Sequence, residues 1–157
     1  MKKLQIRVIG KLQESWQREA IHMYETRLKG FGGVDIVELA EGHGGSEKPD
    51  EMKTKRTEGQ SLLKGIPEGA YLVALDQGGV MLTSEKFSEH LSKWNMNASQ
   101  IVFIIGGSWG LDDVILSKAD TILSFGPMTF PHGLARVMLV EQIYRAKMIE
   151  RGSEYHK

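Results

Sequence analysis

The chain contains no cysteine, and that absence removes disulfide staples, thiolate metal sites and cysteine-nucleophile chemistry together. A reducing cytosol fits. Net charge is also lacking, because 20 Lys and Arg are balanced by 20 Asp and Glu. No global positive field therefore draws the protein to a nucleic acid, and any RNA contact must be local. Long hydrophobic runs are missing too: in MKKLQIRVIGKLQES the first apolar run is one strand long, too short for a signal-peptide core or a membrane span. A soluble, cytoplasmic protein is expected. The five histidines, at 22, 43, 90, 132 and 156, show neither H-E-x-x-H nor any other metal-ligand spacing, so no metal site is expected. No Walker G-x-x-x-x-G-K-[ST] and no G-x-G-x-x-G occurs.

Present instead are apolar runs of strand length with amphipathic stretches between them. Five strands are predicted, at 4–10, 34–40, 70–76, 100–107 and 121–125. The run IVFII within the fourth is apolar on both faces and β-branched, which suits the covered centre of a parallel sheet. Trp16, Ala20, Tyr24 and Leu28 recur every fourth residue and predict a helix over 13–29. Ser84 marks a capped helix over 84–95, and DEMKTKRTEGQSLLKGI gives a weaker one ending before Pro67. This alternation predicts an α/β fold, a mainly parallel sheet with helices on both faces, as one domain over 1–157. The stretch EGHGGSEKPD at 41–50 reads as a mobile surface loop.

Ligands of open α/β sheets bind beyond the carboxyl ends of the strands. Three segments there attract notice: LDQGG at 75–79, IGGSWG at 105–110 and FGPMTFPHG at 125–133. The glycine-rich turn lets a ligand approach the backbone closely, but it equally fits a plain turn into a helix near Leu111. The third segment holds two of the chain's four prolines. Pro127 and Pro131 each remove a donor and fix φ, so the loop cannot become helix, and its unused peptide groups suit a ligand rich in donors and acceptors, such as adenine. The plainer alternative is that Pro131 starts the last helix with Thr129 as its cap.

That last helix, LARVMLVEQIYRAKMI, is apolar on more than one face, which a symmetric dimer would satisfy. Glu141 and Arg145 stand four apart on it, the spacing of an ion pair. His132 is a candidate general base in its first turn. The tail RGSEYHK reads as solvated, or as an RNA contact in which Tyr155 stacks on a base and Arg151, His156 and Lys157 meet phosphate.

Taken together, IGGSWGL, SFGPMTFPHGLARVMLVEQIYRA, the terminal EYHK and the opening IRVIGK resemble the ribosomal RNA large-subunit methyltransferase H family, of the SPOUT class of knotted methyltransferases. The resemblance spans nearly the whole chain and is densest over 104–157. It implies a homodimer whose C-terminal part threads a trefoil knot, and which uses S-adenosylmethionine to methylate N3 of a pseudouridine in a 23S rRNA stem-loop on the ribosome. Carried onto this sequence, the cofactor contacts fall on Leu75, Gly106, Phe125, Gly126, Pro127, Met128, Thr129 and Phe130. The RNA site maps to Glu141, Arg145, Tyr155 and His156, with Arg145, His156 and His132 as catalytic candidates. Two other readings stay open: a SPOUT methyltransferase for a different RNA, and a non-catalytic flavodoxin-like binding domain. The latter expects a phosphate loop after the first strand, where this chain has GKLQES.

Overall fold

The computed structural model describes residues 4–157. In chain order the elements are β1 (Leu4–Ile9), α1 (Ser15–Leu28), a 3-10 turn (Lys29–Phe31), β2 (Val34–Leu39), α2 (Glu51–Leu63) and β3 (Tyr71–Met81). They continue with α3 (Ser84–Asn97), β4 (Ile101–Ile105), α4 (Asp113–Lys118), β5 (Thr121–Ser124) and α5 (His132–Glu150). The sheet order is β2-β1-β4-β3-β5, and every pairing is parallel.

As its two-sided apolar sequence requires, β4 is the central strand, and all its residues are buried. On one face, Ile6, Val8 and Phe103 join Phe87 and Leu91 of α3 and Leu139 and Ile143 of α5 in a single core. On the other, Ile9, Val102 and Ile104 meet Leu62 of α2 and Ile115 of α4. Burying such side chains is the main stabilising term, and truncating one as large as Phe103 costs about 3–5 kcal/mol.

Three local expectations change. In α1 the inward residues are Gln17, Ile21 and Leu28, with Tyr24 partly covered, while Trp16 is half exposed. The apolar stripe is therefore rotated by one residue at its start, and the polar Gln17 sits inside because Gly133 of α5 packs against its amide group. In α3 the cap is Thr83, whose hydroxyl accepts from Lys86 N–H at 3.2 Å. Ser84 instead donates to Gln142 of α5 at 2.8 Å. Finally, LDQGG is not a turn that ends the third strand. β3 runs on to Met81 and stays paired with β5, through a register irregularity between Leu75 and Val80. Gly79 permits this, since a side-chain carbon there would stand 2.5 Å from the Ile122 carbonyl oxygen.

After the edge strand β5 the chain crosses back over the sheet, and α5 packs against both α1 and α3. Two apolar faces of that helix are thus met within the chain itself. Arg136, 1% exposed, anchors the crossing: its guanidinium is ion-paired with Glu38 of β2 and donates to the Gly10 carbonyl at 3.0 Å. The start of α5 is held in this way at the carboxyl end of β1.

Candidate active site at the carboxyl edge of the sheet

The three segments that follow β3, β4 and β5 converge. Leu75, Gly106, Phe125, Gly126, Met128, Thr129 and Phe130 line one cleft of about 600 Å³, whose far wall is Pro131, His132 and Ala135. Pro127, also expected as a contact, is not among the lining residues. Asp76, Gln77, Gly107 and Ser108, which the sequence reading did not single out as contacts, line it as well. Their signal was visible as adjacency to the chosen glycines.

The glycine turn is closed on itself. Gly110 N–H donates to the Gly107 carbonyl at 3.1 Å, and a side-chain carbon at Gly106 would lie 2.7 Å from the Gly110 carbonyl carbon. Only glycine fits there. Across the cleft, Ser124 Oγ accepts from Gly126 N–H at 3.0 Å and Gln77 Nε2 donates to Thr129 Oγ1 at 2.8 Å, which ties the loop to β5 and β3. Among the described residues, no hydrogen bond uses the peptide groups of Met128, Thr129 or Phe130. Peptide groups without an internal partner, on residues that line a largely apolar cleft, suit an adenine edge and a methionyl chain, so the residues present fit a nucleoside-bearing methyl donor.

The helix α5 begins at His132 with Pro131 as its cap residue, and no side chain caps it; Thr129 is engaged by Gln77 instead. His132 lines the cleft, and its ring packs beside Gly10, with Nδ1 buried and unbonded. Of the catalytic candidates it alone borders this cleft among the described residues.

Glu141, Arg145, Tyr155 and His156 form a second, separate cluster. Arg145 forks onto Glu141 Oε1 with bonds of 3.0 and 2.7 Å, so the guanidinium is held still more firmly protonated than usual, chiefly by that carboxylate. Tyr155 donates to the same oxygen at 3.1 Å. Burial above all pushes its phenol well above the ordinary tyrosine value. The ring expected to stack on a base carries Arg145 over one face at 4.8 Å and meets Tyr144 edge-on. His156 bridges Arg145 at 3.3 Å and Glu85 of α3 at 2.8 Å, which holds the tail on the body of the protein.

Between the two clusters lies a more apolar cleft of about 560 Å³, reached by Tyr24, Met81, Phe87, Val137, Met138 and Glu141. Leu123 and Phe125 belong to the walls of both clefts. No His, Cys, Asp and Glu cluster able to hold a metal occurs among the described residues.

A parallel sheet whose carboxyl edge carries a cleft lined by a glycine turn and a proline-rich loop defines an α/β protein with a ligand site at the strand ends. Residues 2–156 match the family model described as predicted SPOUT methyltransferase, and the chain belongs to that family. It is similar to the ribosomal RNA large subunit methyltransferase H of Bifidobacterium animalis subsp. lactis, 42% identical over 152 residues that cover 95% of this chain and 96% of the relative. Proteins of the same name from Clostridium beijerinckii, 42% identical over 153 residues, and Gluconacetobacter diazotrophicus, 42% over 149, cover 95% of this chain and 96% and 93% of their own lengths.

Proposed function

We propose that this protein is an S-adenosylmethionine-dependent methyltransferase of large-subunit ribosomal RNA, methylating N3 of a pseudouridine in a 23S stem-loop. The observation that carries the reading is the cleft lined both by the glycine turn and by residues 128–130, whose peptide groups make no internal hydrogen bond. Relatives named as methyltransferases of this RNA, alike over almost their whole length, support the substrate class.

S-adenosylmethionine, when bound, supplies a methyl group already activated on a sulfonium. This chain's residues bind and orient it: the 125–130 loop and Leu75 offer peptide groups and apolar walls, while Gly106 leaves the space for close approach. The imide proton at N3 must leave as the base is methylated. In this reading Arg145, permanently charged, stabilises the resulting anion at the base oxygens, and His132 or His156 accepts the proton. Alignment and exclusion of water supply the rest of the rate, and no step calls for a metal.

The same reading includes a homodimer, a single domain over 1–157, a C-terminal trefoil knot and a cytoplasmic setting beside the ribosome. For the dimer, support comes from the apolar cleft at Met81, Val137 and Met138, with Met81 itself 70% exposed. For the knot it comes from the return of the chain from edge strand β5 across the sheet to α1. Mass spectrometry of ribosomal RNA from cells with and without the protein tests the function: one methylated pseudouridine should disappear from 23S rRNA. An unchanged map refutes the substrate, and loss of a methyl group from transfer RNA would favour the related reading of a SPOUT enzyme for another RNA.

A further inference from the structure

Glu58 of α2 is 3% exposed, yet it belongs to neither cluster described above. Its Oε1 accepts from Gly42 N–H at 3.0 Å, and its Oε2 is buried with no hydrogen-bond partner. A buried carboxylate with an unsatisfied oxygen is costly and calls for a reason. The reason lies in what surrounds it. A side-chain carbon at Gly107 would stand 3.0 Å from Oε2 and 3.1 Å from Oε1, so the carboxylate fills the space that the missing side chain leaves. Gly107 lines the cofactor cleft and opens the turn closed by Gly110. On the opposite side, a side-chain carbon at Gly42 would lie 2.9 Å from Glu58 Cγ and 2.5 Å from the Thr54 carbonyl oxygen. The neighbouring Gly59 completes the contact, since a side-chain carbon there would come within 3.2 Å of Asp112 Cβ, at the cap of α4.

We propose that Glu58 is a positioning residue, a strut that braces the cofactor turn at Gly107 with its carboxylate while tethering the 41–45 turn through Gly42. Two segments far apart in sequence then share one support. Loosening either displaces the same carboxylate, and so changes the wall against which the methyl donor lies. The bracing itself follows from the protein alone; its effect on the donor rests on the reading of the cleft given above.

The test uses the full-length protein with Glu58→Ala and Glu58→Gln. Gln keeps the volume and an acceptor for Gly42 N–H, while Ala removes both. Hydrogen exchange on the ligand-free protein is the first readout. Glu58→Ala should speed exchange about tenfold or more at 41–45, where one buried bond is lost, and measurably at 106–111, where the packed carboxylate is removed, with β1 and β4 unaffected. Glu58→Gln should restore most of the protection at both. Calorimetry with S-adenosylmethionine is the second: Glu58→Ala should weaken binding about tenfold, with KM for ribosomes unchanged, and Glu58→Gln should bind within about threefold of the parent. Faster exchange at 41–45 alone would overturn the strut. So would equal loss of protection in both variants, whereas faster exchange at both segments with unaltered donor binding in Glu58→Ala would overturn the reading of the cleft and not the strut. A parent protein that binds no S-adenosylmethionine refutes the cofactor reading instead, and leaves the exchange experiment to decide the strut.

Discussion

The guanidinium carbon of Arg145 sits 4.8 Å from the centroid of the Tyr155 ring, while two of its nitrogens grip Glu141. One cation thus joins α5 to the tail by stacking and by a fork, two interactions that a lysine cannot both reproduce. Arg145→Lys should keep the fold and the charge but lower methylation of ribosomes about tenfold to a hundredfold, with donor binding within about twofold. Equal activity of the lysine variant would remove Arg145 from the reaction.

Gly106→Ala places a carbon 2.7 Å from the Gly110 carbonyl carbon, a backbone atom that cannot swing away as the nearby Leu111 side chain could. The turn must open. A stability loss of about 1–3 kcal/mol is expected from thermal unfolding, and S-adenosylmethionine binding should fall at least about tenfold by calorimetry.

Arg136 is buried between Glu38 and the Gly10 carbonyl. Arg136→Ala leaves the Gly10 carbonyl unpaired and empties a large buried volume, so denaturant unfolding should show a loss of about 3 kcal/mol or more. Glu38 is about one-third exposed, so Glu38→Gln, whose amide oxygen can still accept, should lose clearly less. Equal losses would mean that the ion pair, and not the filled space, dominates.

The Glu85 carboxyl is lowered to about 2, first of all by its hydrogen bond from the His156 ring. A carboxyl depressed in the folded state adds stability that is fully present above its unfolded value near 4.3 and is lost as pH falls toward the folded value. The contact of tail with α3 should therefore survive mild acid and break only as pH falls through about 2. Carbon-13 titration of Glu85 should give that low midpoint in the parent protein and a higher one in His156→Ala, still below the ordinary glutamate value because the Glu85 amide and Thr83 also bond the carboxylate. The same midpoint in both would show that the tail is not bonded there. The group lies at the surface, so global stability should barely respond.

The sheet was legible because five apolar runs are separated by helical patterns, and its centre because IVFII has no polar face to turn outward. Strand order was not legible: nothing local in TILSF says that it pairs with β3 at the edge, a matter of long-range packing. The extension of β3 through Gly78 and Gly79 was hidden by a rule that usually holds, since glycine pairs commonly mark turns, and here they permit close strand approach. The cleft was largely readable from glycines and prolines at strand ends. Glu58 was not, because in sequence it is one more charge on a polar helix, and only the fold reveals that it points inward between two glycine turns.

The central claim is that the peptide groups of Met128, Thr129 and Phe130 receive the methyl donor. Amide proton and nitrogen shifts of these three residues, followed by NMR while S-adenosylmethionine is added, test it most directly. Large saturable shifts at these amides, together with that of Gly106, are the predicted result. Saturable binding that leaves all four unmoved would contradict it.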